Sequence, residues 1–272
     1  MPRKNVKLGQ NFLVDKFVIT RIVELVNSSK NLPLVEIGPG LGALTIPLLS
    51  LDNNITAIEI DSSLIAALEA RLVSPESIKF INCDVMRADF RSIYLDLGGN
   101  KLCIFGNLPY QISAVLMLRL RNFQDIIGKM IFMVQKEVAE RLVATPGSPF
   151  YGRLSVMVQS WCRLEHLLDV GPGSFSPPPK VDSTVFCASP YVMEGSDSLD
   201  WLLFEKVVGL SFRHKRKILY SSFKKVLTII DWQKLELSSK ARPSDLSVND
   251  YVKITKKLQE FDGSELEKKL FS

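Results

Sequence analysis

The sequence predicts an α/β fold: a doubly wound, largely parallel sheet followed by a small all-helical tail. Three observations carry this. Apolar, strand-like runs alternate with amphipathic stretches from Val35 to Ala188, the pattern of parallel strands with helical crossovers. The first run, Val35-Glu36-Ile37, passes straight into the glycine-rich turn Gly38-Pro39-Gly40-Leu41-Gly42. Finally, Pro190 to Ser198 has the Pro, Gly, Ser and acid content of a linker, and no β pattern appears beyond it. The expected division is therefore residues 1–190 as one domain and 199–272 as the other.

The elements follow in order. Asp15 is placed to cap an amphipathic helix. Ala43 to Leu49 reads as the helix after the glycine turn, and Ile55 to Asp61 as a second strand. In Ser62 to Leu72, the residues Leu64, Ile65, Leu68 and Leu72 share one helical face. Lys79 to Asn82 and Leu102 to Gly106 are further strands; Ser113 is placed to cap a helix reaching Leu120. Met130 to Val134 is a fifth buried strand, with helices expected at Glu137 to Val143 and Leu154 to Trp161. Arg163 to Val170 and Val181 to Ala188 read as a closing strand pair joined by the loop Gly171 to Pro179. In the tail, Trp201 to Leu210, Lys217 to Ile230 and Val248 to Leu258 read as helices, with a turn at Arg242-Pro243-Ser244-Asp245.

Composition narrows the function. At 272 residues and 46% hydrophobic content the chain can bury a substantial core. No apolar run approaches the roughly 18 residues needed to span a membrane. Met1-Pro2-Arg3-Lys4-Asn5 leads into no signal-peptide core, so a cytoplasmic location is expected. Cys83, Cys103, Cys162 and Cys187 show no C-x-x-C pairing and read as reduced core residues. With His166 and His214 alone and no Cys/His cluster, no metal site is expected. The net charge of +5 is concentrated in the tail, where residues 201–272 hold fifteen Lys and Arg against nine Asp and Glu. Lys206, Arg213, Lys215, Arg216, Lys217, Lys224 and Lys225 occur with no acid among them. Such a run is usually a solvated helix face; beside a base-handling site it suits phosphates better.

The chemistry gathers at strand ends. A glycine turn lets backbone N–H groups approach a ligand closely, though alone it is weak evidence. Glu59 lies about twenty residues after the first Gly, the spacing at which an acid reaches ribose hydroxyls. Asp84 is placed to accept from an adenine amine. The third glycine of a dinucleotide fingerprint is missing, since Leu41, Gly42, Ala43 and Leu44 follow Gly40. A negative charge at Glu36 suits an ammonium or sulfonium better than a pyrophosphate, and no Gly-Lys-Ser/Thr follows for ATP. S-adenosylmethionine (SAM) fits best. Then comes Asn107-Leu108-Pro109-Tyr110: a side-chain carbonyl, a backbone carbonyl held out of helical pairing by the proline, and an aromatic face. These suit a planar base held by its exocyclic amine, or equally a Pro-terminated strand end with a capping Asn and a core Tyr.

The ordered set resembles the ribosomal RNA adenine N6,N6-dimethyltransferases of the small-subunit type along most of the chain. Gly9-Gln10-Asn11-Phe12-Leu13-x-Asp15 is similar to that family's amino-terminal signature, Glu36 to Gly42 to its cofactor loop, and Asn107 to Tyr110 to its catalytic tetrapeptide. Phe175-Ser176-Pro177-Pro178-Pro179-Lys180-Val181-Asp182-Ser183 resembles its substrate-side loop. The resemblance implies a Rossmann-like SAM-dependent methyltransferase sheet with a helical, basic docking domain. It implies SAM binding at Asn11, Leu13, Gly38, Glu59, Asp84 and Asn107, and catalysis at Asn107, Leu108, Pro109 and Tyr110, with Phe175 stacking opposite Tyr110. From residues alone, Phe175 serves nearly as well as an anchor for the proline-rich loop. The implied partners are small-subunit rRNA and pre-30S particles, with no membrane; nothing in the sequence demands a dimer, and a monomer is expected. The alternatives are a large-subunit rRNA adenine methylase and an assembly factor with little turnover. Two positions depart from the family pattern. Ser148-Pro149-Phe150 stands where a basic residue is common, and Arg213-His214-Lys215-Arg216-Lys217-Ile218 replaces paired arginines followed by Thr.

Overall fold

A computed structural model describes residues 11–193 and 198–271. Gly9 and Gln10 of the amino-terminal motif, the Met1-Pro2-Arg3-Lys4-Asn5 leader and residues 194–197 of the expected linker lie outside the described residues. The chain forms two compact units, Met1–Ala139 with Arg163–Pro190, and Glu140–Cys162 with Tyr191–Ser272.

The first unit starts with β1 (Phe12–Leu13) and α1 (Lys16–Asn27), where Asp15 Oδ1 accepts from the N–H groups of Phe17 and Val18. Strands and helices then alternate: β2 (Leu34–Ile37), α2 (Thr45–Leu49), β3 (Ile55–Glu59), α3 (Ser62–Glu69), β4 (Ile78–Asn82), α4 (Phe90–Asp96), β5 (Leu102–Asn107), α5 (Ser113–Leu120) and β6 (Ile127–Gln135). Along the chain α6 (Lys136–Val143) then runs into the second unit, which holds α7 (Arg153–Gln159), and the first unit resumes with β7 (Cys162–Val170), β8 (Phe175–Ser176) and β9 (Ser183–Pro190). Seven strands form one sheet in the order β4-β3-β2-β5-β6-β9-β7, and β1 pairs with β8 in a separate ribbon. From β4 to β6 all pairings are parallel; β9 runs antiparallel to β6.

This order decides where a ligand can sit. From β2 the chain winds outward through β3 and β4, then returns to the far side of β2 as β5, so the winding reverses between β2 and β5. The crevice at the carboxyl ends of those two strands is the topological switch point, the usual ligand position in open α/β sheets. β2 and β5 are buried on both faces, as interior parallel strands are, and every residue from Leu102 to Phe105 is buried. At Gly106 (φ +155°) the backbone turns toward β2, and a Cβ there would lie 2.3 Å from the carbonyl oxygen of Ile37.

Some elements differ from expectation. Ser113 is the first residue of α5 and not its cap; its hydroxyl donates back to the Tyr110 carbonyl at 3.2 Å. Helix α4 lies outside the expected set, although Asp89 caps it by accepting from the N–H groups of Arg91 and Ser92.

In the second unit, α8 (Trp201–Phe212), α9 (Tyr220–Phe223), α10 (Ile229–Lys234), α11 (Val248–Leu258) and α12 (Gly263–Leu266) are described, and the helical segment 140–162 groups with them. Tyr151, Phe212 and Tyr251 form an aromatic chain with centroids 6.5 and 5.9 Å apart. The single helix expected from Lys217 to Ile230 is two, because Thr228 is extended and starts α10 with a capping box shared with Asp231. Lys215 Nζ donates to the Pro149 carbonyl at 2.9 Å, so the two segments that depart from the family pattern meet within this unit. Arg213 to Lys217 are exposed.

Candidate cofactor and base site

A cavity of about 620 Å³ opens at the switch point. Its walls include Asn11, Leu13, Gly38, Glu59, Asp84 and all four residues of Asn107 to Tyr110.

The glycine turn is held from below and from the side. Gly38 N–H donates to the Ile58 carbonyl of β3 at 2.9 Å. Glu59, 6% exposed at the end of β3, accepts from Gly40 N–H at 3.4 Å through one carboxylate oxygen and from Asp61 N–H at 3.0 Å through the other. One side chain thus ties together the turns after two neighbouring strands. Gly40 adopts φ +54°, and the Phe12 ring lies 3.3 Å from where its Cβ would be. At the end of β4, Asp84 Oδ1 accepts from Met86 N–H at 2.9 Å, and Asn82 Nδ2 reaches back to the Glu59 carbonyl.

Glu36 lies one layer deeper. It is 2% exposed and accepts a hydrogen bond from the Thr45 hydroxyl at 2.7 Å. Burial pushes its carboxyl up to about 8; Thr45 opposes the shift and the nearby Glu59 reinforces it. Burial therefore favours the protonated acid, whereas the sequence suggested a negative charge. The difference arises because β2 is interior to the sheet and the Glu36 side chain, at the floor of the cavity, is almost wholly shielded from solvent.

The tetrapeptide is braced at each residue. Asn107 Nδ2 donates to the Asn11 backbone carbonyl at 3.3 Å. Leu108 N–H donates to Met133 of β6 at 3.0 Å, and its side chain is buried. The Pro109 carbonyl accepts from Ile112 N–H at 3.1 Å. The Tyr110 carbonyl is held by Ser113, and its phenol shares a 2.8 Å hydrogen bond with the Ser183 hydroxyl.

Phe175 is the expected site residue that the structure does not bring to the cavity. It pairs with Leu13 across the β1–β8 ribbon, is 3% exposed, and belongs to a core cluster with Leu13, Val170 and Val185. In this structure its ring packs into that cluster and does not line the cavity. Sequence reasoning gave no role to Phe12 or Ser183, though both stand inside quoted motifs. It also passed over Arg71, which lines the cavity and donates to the Leu41 carbonyl. That hydrogen bond joins residues 30 apart and leaves no local signal.

The cavity's composition fits SAM. A buried carboxylate and a second acid stand at adjacent strand ends, a glycine turn gives close backbone approach, and Leu13, Val85 and Leu108 supply apolar wall. A sheet of this order with such a site at its switch point defines a SAM-dependent methyltransferase. The family model "Ribosomal RNA adenine dimethylase" matches residues 1–260. A ribosomal RNA small subunit methyltransferase A from Psychrobacter cryohalolentis is 41% identical over 96% of this chain and 93% of its own. One from Pseudomonas aeruginosa is 40% identical over 96% and 97%. Among solved structures, a dimethyladenosine transferase from Plasmodium falciparum superposes with a TM-score of 0.76 at 24% identity, covering 92% of this chain and 98% of that one. The 23S rRNA methyltransferase ErmE gives 0.69 at 23% identity, over 92% and 100%; both likenesses are of fold. The chain belongs to the ribosomal RNA adenine dimethylase family.

Proposed function

We propose that this protein transfers methyl groups from SAM to N6 of two adjacent adenosines near the 3′ end of small-subunit rRNA, during ribosome assembly in the cytoplasm. The choice of the small subunit rests on the near full-length identity to small subunit methyltransferases. The chemistry rests on one observation: the hydrogen bond from Asn107 Nδ2 to Asn11, which leaves Oδ1 of Asn107 as the acceptor for substrate.

When bound, SAM supplies an electrophilic methyl group and departs as a neutral thioether. The difficulty lies with the nucleophile, because the lone pair of an adenine N6 is delocalised into the ring. Asn107 Oδ1 accepts one N6–H bond. The Pro109 carbonyl is occupied by Ile112, so the Leu108 carbonyl is the better second acceptor. Two acceptors draw the nitrogen toward tetrahedral geometry and aim its lone pair, while Tyr110 stacks on the extruded base. The methylated nitrogen is cationic until it releases one N–H proton to solvent; the neutral amine then rotates, and its remaining N–H still finds a partner. Asn11, Leu13, Gly38, Glu59 and Asp84 hold the cofactor, with Glu59 toward ribose hydroxyls and Asp84 toward the adenine amine. The helical second unit docks on RNA through Arg213, Lys215, Arg216 and Lys217, and the chain acts as a monomer on pre-30S particles.

The test is methyl transfer from labelled SAM to unmethylated small subunits, followed by nucleoside analysis. Dimethyladenosine in small-subunit RNA supports the reading. Transfer to large-subunit RNA alone moves the protein to the other branch, and SAM binding without transfer makes it an assembly factor.

A further inference from the structure

Ser183 has no part in the chemistry described above, yet the tyrosine of the tetrapeptide is tied to it. We propose that Ser183 is a positioning residue whose hydroxyl sets the direction of the Tyr110 ring axis and so places the ring on which the target adenine stacks. This rests on the reading that Tyr110 stacks on that base.

Tyr110 lies in the loop between β5 and α5, half-buried at the cavity wall. Its phenol oxygen is 2.8 Å from the Oγ of Ser183, a residue 73 positions away. Ser183 is 0% exposed and begins β9, paired with Gln135 of β6. Its neighbours are tied as well: Lys136 N–H donates to the Asp182 carbonyl at 2.9 Å, and the Thr184 hydroxyl donates to Asp169 at 2.8 Å. Ser183 is therefore a fixed post on the sheet, and Tyr110 a loop residue fastened to it.

The geometry says what the fastening controls. A phenol oxygen lies on the ring's long axis, so a bond there permits spin about that axis and fixes where the axis points. The Ser113 hydroxyl meanwhile holds the Tyr110 carbonyl at 3.2 Å. Two anchors at opposite ends of one residue fix the position and the axis of the ring, and leave its spin to the base that stacks on it. A phenylalanine would stack as well but could not be fastened, which gives a reason for tyrosine here. Methyl transfer depends steeply on alignment, and on the proposed reading this ring serves the base and not the cofactor. Loss of the tether should therefore fall on kcat.

The experiment compares Tyr110→Phe, Ser183→Ala, the double variant and Ser183→Thr, with labelled SAM and unmethylated small subunits at saturation. Each of Y110F and S183A should lower kcat about five- to tenfold, as loss of one hydrogen bond implies. The KM for SAM should stay within about twofold, the double variant should be no slower than the worse single, and S183T should recover activity. Unchanged kcat in both singles, additive losses in the double, or a rise in the KM for SAM that matches the loss would overturn the proposal. If S183A does not fold, Y110F and S183T decide by the same criteria. Asn107→Ala serves as the reference: active N107A sinks the base-holding reading itself, while inactive N107A beside normal Y110F and S183A sinks only the tether.

Discussion

The side-chain nitrogen of Asn107 donates to the backbone carbonyl of Asn11, joining the end of β5 to a residue 96 positions earlier. The bond orients the amide. Asn107→Ala should lower kcat on the order of a thousandfold, as loss of a preorganised polar group at a reacting centre does. Asn107→Asp keeps an acceptor but sets a carboxylate against the Asn11 carbonyl, and should also be strongly impaired. Labelled methyl transfer measures both, with sedimentation showing that the variants still bind particles. Undiminished transfer in N107A would rule out the mechanism.

Glu36 makes stability depend on pH. Its carboxyl is held near 8 in the fold against 4.5 ordinarily, so between those values the folded state keeps a proton that the unfolded chain releases. Its contribution is fully present below about 4.5 and declines as pH rises toward 8. Relative to Glu36→Gln, the wild-type protein should lose on the order of a few kcal/mol across that window. Urea denaturation of both proteins from pH 5 to 8.5 checks it; parallel curves would show that the proton is not on Glu36.

Gly106 should tolerate no side chain. A Cβ there would stand 2.3 Å from a strand carbonyl that cannot move aside, so Gly106→Ala should cost roughly 3 kcal/mol or more and displace Asn107. Gly40→Ala meets only the edge of the Phe12 ring at 3.3 Å, in a left-handed backbone. It should cost about 1–2 kcal/mol and weaken SAM binding. Thermal unfolding and SAM titration separate the two cases.

The basic segment is tested by salt. Replacing Arg213, Arg216 and Lys217 with Gln should weaken RNA binding across sequences and make its salt dependence shallower, by a slope of about one for each phosphate left unneutralised. An unchanged slope would make the segment a solvated surface.

Much of the molecule is legible locally. Helices α5 and α11 stand where periodicity placed them, because apolar spacing is a property of neighbouring residues. Gly38, Glu59, Asp84 and Asn107 reach one cavity because each ends or follows a strand, and parallel strands bring their carboxyl ends to the same edge. The break before α10 is also written locally, as Thr228 and Asp231 in a capping box, but the apolar run across it hides the signal. The hydrogen bonds that tune the site are not legible in this way. Asn107 with Asn11, Tyr110 with Ser183 and Arg71 with Leu41 join residues 30 to 96 apart, and strand order and register alone make them neighbours. Phe175 stands out in the sequence as an aromatic with two available roles, and its burial beside Leu13 follows from a strand pairing that joins distant segments. The sequence by itself determined the class of fold, the cofactor and most of the residues that line the cavity, through patterns that span a few turns or strands. Only the tertiary structure decided how Asn107 is oriented, which aromatic reaches the cavity wall and whether Glu36 is charged, because burial and hydrogen-bond geometry exist only once distant segments meet.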